Sequence, residues 1–226
     1  MFCERPELEK FMSAELPVDD FSSYNAAPTQ PLPVVAVNRK DMIQFFHWGQ
    51  TKQMANNRTL SPRLFNLTSD SAFQRPAYKR AIQNARCLIA ANGFYVWKQV
   101  SKKQKVPYFC YYQHHTAFGI AGVYEEFEDL EGKSSHTFNM ITVPAGNKLG
   151  AYSDDMPAIL TKKMADQWLE DDLSLDTAES LLTEVTDDKL LMHAVSPRIT
   201  ELENNDDSLI QPAAPSDQFG NYTLFS

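Results

Sequence analysis

With 226 residues, 43% of them hydrophobic and 12% aromatic, the chain can bury a sizeable core and is too apolar to be disordered throughout. Its formal net charge of −8 argues against a protein that coats nucleic acid nonspecifically, although a local basic groove stays open. No apolar run approaches bilayer length, and the opening MFCERPELEK lacks a signal-type apolar segment, so the chain reads as cytoplasmic, with no membrane partner.

In chain order, residues 4–16 suit a short helix with Leu8, Phe11 and Met12 on one face. YNAAPTQPLPVVAV (24–37) is a Pro-rich turn, with Asn25 and Pro28 as turn chemistry, feeding a strand at 33–37. MIQFFHWG (42–49) is an aromatic strand closed by Gly49, TKQMANNRTLSP (51–62) a polar loop, and RLFNL (63–67) a short strand. PAYKRAIQN (76–84) reads as a helix with Pro76 in its first turn. Strands follow at 86–92, 94–100, 106–112, 117–124 and 136–143, with KKQK (102–105) as a basic hairpin tip. Thr161 can cap a helix to about Leu169, and Asp176 another to about Thr186. From Asn204 the chain is rich in Asn, Asp, Pro and Ser and is expected to lie over the surface. The pattern is that of a strand-rich α+β domain with peripheral helices.

Cys3, Cys87 and Cys110 form no CxxC pair, as expected of reduced thiols. Cys87 and Cys110 sit among apolar strand residues and read as core. His114 and His115 are neighbours and would point to opposite faces of a strand, so no metal site and no cofactor is expected. Cations concentrate between Arg58 and Lys105, among them Arg75, Lys79, Arg86, Lys102 and Lys103; a solvated surface is the ordinary reading of such a bias.

No local motif is strong alone, but an ordered series stands out. Cys3-Glu4-Arg5 is followed by YNAAPTQPLPVV, Trp48-Gly49, Phe65-Asn66, Arg86-Cys87-Leu88 and GFYVW (93–97). Then come FGIAG (118–122), Ile141-Thr142, DDMPAIL (154–160), His193-Ala194-Val195-Ser196 and Leu209-Ile210-Gln211-Pro212. This series resembles the SRAP family, the SOS-response-associated peptidase-like, abasic-site processing proteins. The resemblance implies a single α+β domain with a curved, barrel-like, mainly antiparallel β core, here residues 1–212, with 213–226 as a tail. It also implies a groove for single-stranded or junction DNA and, in most members, an exposed N-terminal cysteine. The amine and thiol of that cysteine close a thiazolidine with a ring-opened abasic sugar. An asparagine positions the reactants, and a glutamate and a histidine move protons.

Carried over residue by residue, the family asparagine matches Asn66, and the candidate catalytic residues are Cys3 and Asn66. The family glutamate falls at Val96, which can neither donate nor accept a proton, and Ser153 stands in place of the histidine. Two family arginines fall at Thr68 and Asp155. Cys3 is one place late, behind Phe2, whose bulk is expected to keep Met1 in place and leave Cys3 with an amide nitrogen. Candidate DNA contacts are Trp48, Asn66, Arg75, Lys79 and Thr142, with Trp48 and Trp97 able to stack on bases. Core packing competes with stacking for Trp97, and His193 resembles a family position but suits a structural hydrogen bond.

The leading expectation is a degenerate member, a monomer that binds single-stranded or abasic DNA noncovalently in the DNA-damage response. An active crosslinker or peptidase with a rewired relay through Tyr95, Tyr152, Ser153 or Asp154 is the alternative. A protein-interaction module without DNA binding is the third reading, motivated by the acidic balance and Asp155.

Overall fold

The computed structural model describes residues 1, 3–18, 21–49, 65–128 and 132–222. The polar loop expected at 51–62, the first two residues of the strand expected at 63–67, and Phe2 lie outside them. The elements run β1 (Cys3–Glu4), α1 (Arg5–Met12), β2 (Ser22–Ser23), β3 (Pro31–Ala36), β4 (Arg39–Trp48), β5 (Asn66–Thr68), α2 (Ser69–Gln74) and α3 (Pro76–Asn84). They continue with β6 (Arg86–Ala91), β7 (Gly93–Gln99), β8 (Lys105–Tyr111), β9 (Phe118–Glu128), β10 (Ser134–Pro144), β11 (Asp155–Pro157) and β12 (Ile159–Leu160). α4 (Lys162–Trp168), α5 (Leu175–Thr183) and β13 (Leu191–Ala194) complete the set.

Five strands close into a barrel. β3 pairs antiparallel with β4 and with β6, β6 with β9, and β9 with β10. A short parallel contact of β10 with β4, Thr137 opposite His47 and Phe138 opposite Trp48, shuts the ring. β5 adds to β10 in parallel, with Met140 opposite Asn66 and Thr142 opposite Thr68. β11 and β12 extend β10 and β9. Glycines in β9 let its neighbours approach closely: a Cβ on Gly119 would lie 2.5 Å from Leu88 Cδ1, and one on Gly122 2.6 Å from Ile89 Cδ1 and 3.0 Å from the Asn139 carbonyl. Every residue of β6 is buried.

β7, β8 and β13 form a separate antiparallel sheet. GFYVW begins with glycine because a Cβ at Gly93 would fall 2.3 Å from the Phe109 ring. Phe109 belongs to a second apolar cluster with Val195, Ile199, Leu209 and Ile210. The chain after Asn204 therefore does more than lie over the surface: a 3-10 turn at Asp207–Ile210 buries Leu209 and Ile210 there.

Most helix boundaries follow the capping chemistry. Pro76 opens α3, and the Thr161 side chain accepts from Met164 N to start α4. α5 differs from expectation: Ser174, not Asp176, is its cap, accepting from Thr177 N, and the helix ends at Thr183. Asp176 instead sits in the first turn, where a carboxylate favours the positive end of the helix dipole. His114 and His115 are not on a strand; both have positive φ, 59° and 52°, at a 3-10 turn.

Arg86 is fully buried although it belongs to the basic run. Its guanidinium donates to the carbonyls of Ile82 and Gln83 at the end of α3, and of Trp168 and Glu170 at the end of α4. One buried cation thus satisfies two helix C-termini, where carbonyls lack partners and the dipole favours positive charge. Trp168, also fully buried, donates its indole N–H to the Cys87 carbonyl at 2.9 Å. Cys87 and Cys110 are buried free thiols, and burial pushes both thiols up from the ordinary range. Among the described residues no helix is long and apolar enough to cross a membrane.

Candidate functional site

An open cleft of about 730 Å³ runs between one side of the barrel and the three-stranded sheet. The barrel side contributes Trp48, Asn66, Thr68, Met140 and Thr142. Their common facing follows from the pleat: Asn66 and Thr68 alternate with the fully buried Leu67, opposite Met140 and Thr142 of β10. The sheet side contributes Phe94 through Trp97, with Gln99 and Lys105 beyond. Tyr152 through Pro157 form a third wall, and Met1 with Asn25 to Pro28 a fourth.

Trp48 is held from two directions. Its indole N–H donates to the Phe65 carbonyl at 3.0 Å, and its ring lies parallel to Phe138 at 6.4 Å. A half-buried indole fixed in this way presents apolar surface with little rotamer freedom left to lose. Thr68 serves two ends at once, lining the cleft and capping α2 through Ser71 N.

The Val96 side chain also faces the cleft and is nearly buried. Across the sheet it pairs with Tyr108, whose ring meets Tyr152 edge-on at 4.8 Å. Lys98 Nζ lies 5.3 Å from the centre of the Tyr152 ring, a cation–π contact. Ser153 Oγ donates to the Asp155 carbonyl at 2.7 Å, so its proton is engaged with its own loop. Tyr95 donates its hydroxyl to the Tyr24 carbonyl at 2.6 Å, and burial pushes its pKa well above the ordinary phenol value. A phenol so placed keeps its proton at neutral pH and cannot serve as a base.

Asn25, expected only as turn chemistry, is nearly buried and donates its amide to the carbonyls of Ile199, Glu201 and Asn204 at 3.1–3.2 Å. It ties the N-terminal wall to the C-terminal segment. Beside it the Met1 amine donates to the Ala26 carbonyl at 2.7 Å, and Ala26 N donates back to the Met1 carbonyl at 3.0 Å. The main chain of Cys3 pairs with Ser23 in the β1–β2 ladder, while its side chain lies outside what is described.

Of the candidate site residues, Trp48, Asn66, Thr68, Thr142, Val96, Ser153 and Asp155 therefore share one cleft. Arg75 and Lys79 do not line it: Arg75 is the exposed junction of α2 and α3, and Lys79 lies within α3. His193 accepts its structural role, with Nε2 2.8 Å from the Ile210 carbonyl. Lining residues that sequence reasoning passed over include Met1, Gln99, Lys105, Met140, Ile199 and Leu202; of these only Lys105 is signalled, by the basic hairpin tip. Charge in the cleft is nearly balanced, with Lys105 and the Met1 amine against Asp154 and Asp155.

A strand-closed barrel with a cleft of this make-up defines a class, and the comparisons agree with it. A sequence model of the SOS response associated peptidase (SRAP) family matches residues 3–202, and the chain belongs to that family. It is 27% identical over 191 residues to the abasic site processing protein YoqW of Bacillus subtilis, covering 84% of this chain and 85% of that one. It is 25% identical to the abasic site processing protein HMCES of Gallus gallus, covering 84% of this chain and 66% of the relative. Among solved structures, a Bacteroides thetaiotaomicron protein superposes with a TM-score of 0.69 at 26% identity, over 82% of each chain. A phage-related protein of Bordetella bronchiseptica shares the fold at 16% identity, with a TM-score of 0.68 over 86% of this chain and 92% of that one.

Proposed function

We propose that this protein binds single-stranded DNA noncovalently in the cleft, at or near abasic sites, as part of a DNA-damage (SOS) response. The relatives' names supply the substrate class, abasic sites in DNA. Aromatic and amide surface in the cleft suits unpaired bases: Trp48 and Trp97 offer stacking faces, and Asn66, Thr68 and Thr142 offer polar contacts.

The observation that carries the noncovalent reading is the chemistry of Val96 and Ser153. Thiazolidine closure needs a free amine and thiol on one residue, and proton transfer to and from the sugar oxygen and amine. Val96 holds no proton to give. Ser153 spends its proton on the Asp155 carbonyl. Tyr95, the titratable neighbour of Val96 in sequence, is locked to Tyr24 and pushed toward its neutral form.

Electrostatics set the strength. A cleft with nearly equal positive and negative charge gains little from counterion release, so affinity rests on stacking and is expected to be on the order of micromolar or weaker at physiological salt. The test is fluorescence anisotropy with an oligonucleotide carrying one abasic site, followed by a denaturing gel of the same mixture. Binding in solution with little band surviving on the gel supports the reading; a strong Cys3-dependent band overturns it.

A further inference from the structure

The two most exposed large apolar side chains among the described residues are Phe219 and Tyr222, at 73% and 79% exposure. They do not hang on a loose tail. Asp217, fully buried, sits at the centre of the turn that carries them. Its Oδ1 accepts from Phe219 N at 3.0 Å and Asn221 N at 2.8 Å, and its Oδ2 from the Gln104 side chain at 2.8 Å. Ser216 and Tyr222 close the turn as an antiparallel bridge, and Gly220 takes the left-handed φ of 85° that the reversal requires.

The turn is fastened to the basic hairpin tip between β7 and β8. Gln218 N donates to the Lys105 carbonyl at 3.1 Å, Lys105 N to Gln218 Oε1 at 2.7 Å, and Gln218 Nε2 to the Lys103 carbonyl at 2.7 Å. Lys102 and Lys103 are exposed on that tip, and Lys105 lines the cleft. Two rigidly mounted aromatic faces thus adjoin three lysines, and the last lysine is part of the cleft wall.

We propose that the 217–222 turn is a base-stacking platform for a single DNA strand running out of the cleft past Lys105. The occupant follows from the combination of groups. Exposed rings give sequence-tolerant stacking, and flanking lysines match the phosphates of the same strand. A mount held by hydrogen bonds to the buried Asp217 carboxylate reduces the ordering cost on binding. The turn lies outside the family match at 3–202. The proposal rests on the reading that the cleft holds single-stranded DNA.

The experiment compares two oligothymidylates by anisotropy, a short one that fills the cleft and one several nucleotides longer, using the full chain. Wild type should bind the longer strand more tightly. Phe219→Ala with Tyr222→Ala should lose at least about fivefold on the longer strand and leave the short one unchanged, as expected from stacking. Both side chains are exposed, so the fold should be unaffected by their truncation, which circular dichroism checks. Asp217→Ala, which frees the turn without removing a ring, should produce an intermediate loss. Lys103→Gln should flatten the salt slope on the longer strand by roughly 0.7. Trp48→Ala should weaken both strands. If the double variant binds the longer strand as wild type does while Trp48→Ala weakens it, the platform is wrong and the cleft reading stands. If neither strand binds wild type, the cleft reading fails and the platform with it.

Discussion

Replacing Arg86 by Met should cost more stability than any change on the cleft walls. Met roughly preserves the volume and removes the buried charge. What it leaves behind are four main-chain carbonyls, two at the end of α3 and two at the end of α4, all of them partners of the guanidinium. A hydrogen bond from a charged donor contributes about 1.5–3 kcal/mol, which summed over four bonds overstates the loss because the bonds share one side chain. Burial lowers the pKa of Arg86 from its ordinary value, chiefly through desolvation and opposed by Asp171, and this desolvation cost is recovered when the charge is removed. Swapping a whole buried ion pair for apolar groups can be neutral, but here the carbonyls remain and cannot be swapped. A buried acceptor left unpaired costs about 1–3 kcal/mol, and four that share one donor do not simply add, so a loss of several kcal/mol is expected. Against a typical total of about 5–15 kcal/mol, the variant should be marginal. In urea the midpoint should fall with little change in slope, and Arg86→Lys should recover part of the loss. A loss below about 1 kcal/mol for Arg86→Met, within the range of ordinary substitutions, would show that water satisfies these helix ends and that the clamp contributes little.

Two further predictions concern the cleft. Asp155→Arg should tighten single-stranded DNA and steepen the dependence of log K on log salt by at least roughly 0.7, measured by anisotropy at several salt concentrations; an unchanged slope would separate residue 155 from the phosphate path. Deleting Phe2 together with Val96→Glu and Ser153→His should restore part of the crosslinking to abasic DNA, since proton-transfer groups typically contribute about two to four powers of ten in rate. A folded but inert triple variant would mean that the rest of the cleft has diverged too, with Thr68 and Asp155 the first positions to restore.

Much of the strand framework is legible because alternation, glycine and proline punctuation and the hairpin tip all agree over 86–144. The α3 start is legible from Pro76 and the α4 start from Thr161. α2 is not: six residues give too little periodicity, although Thr68 followed by Ser69 and Asp70 carries the capping signal. The sequence misplaces the cap of α5 because Ser174 and Asp176 are both good caps, and only the fold decides which one bends away from the helix. Arg86 groups by sequence with its basic neighbours; the clue to its burial is the uninterrupted apolar run that follows it. The cleft candidates come from an ordered series of weak motifs, and strand register then puts Asn66, Thr68 and Thr142 on one face. Met1, Asn25 and Asp217 cannot be found that way. Their distant partners, Ala26 for the first, Ile199 to Asn204 for the second and Gln104 for the third, are set by main-chain paths that no local pattern encodes.

The central claim is that the cleft holds abasic DNA without covalent capture. It is tested most directly by incubating wild type, Cys3→Ala and Trp48→Ala with a labelled abasic single strand and resolving each mixture on a denaturing gel, with anisotropy run in parallel. The account predicts binding in solution that Trp48→Ala weakens, Cys3→Ala leaves unchanged, and the gel does not retain. A robust shifted band in wild type that disappears in Cys3→Ala would contradict it.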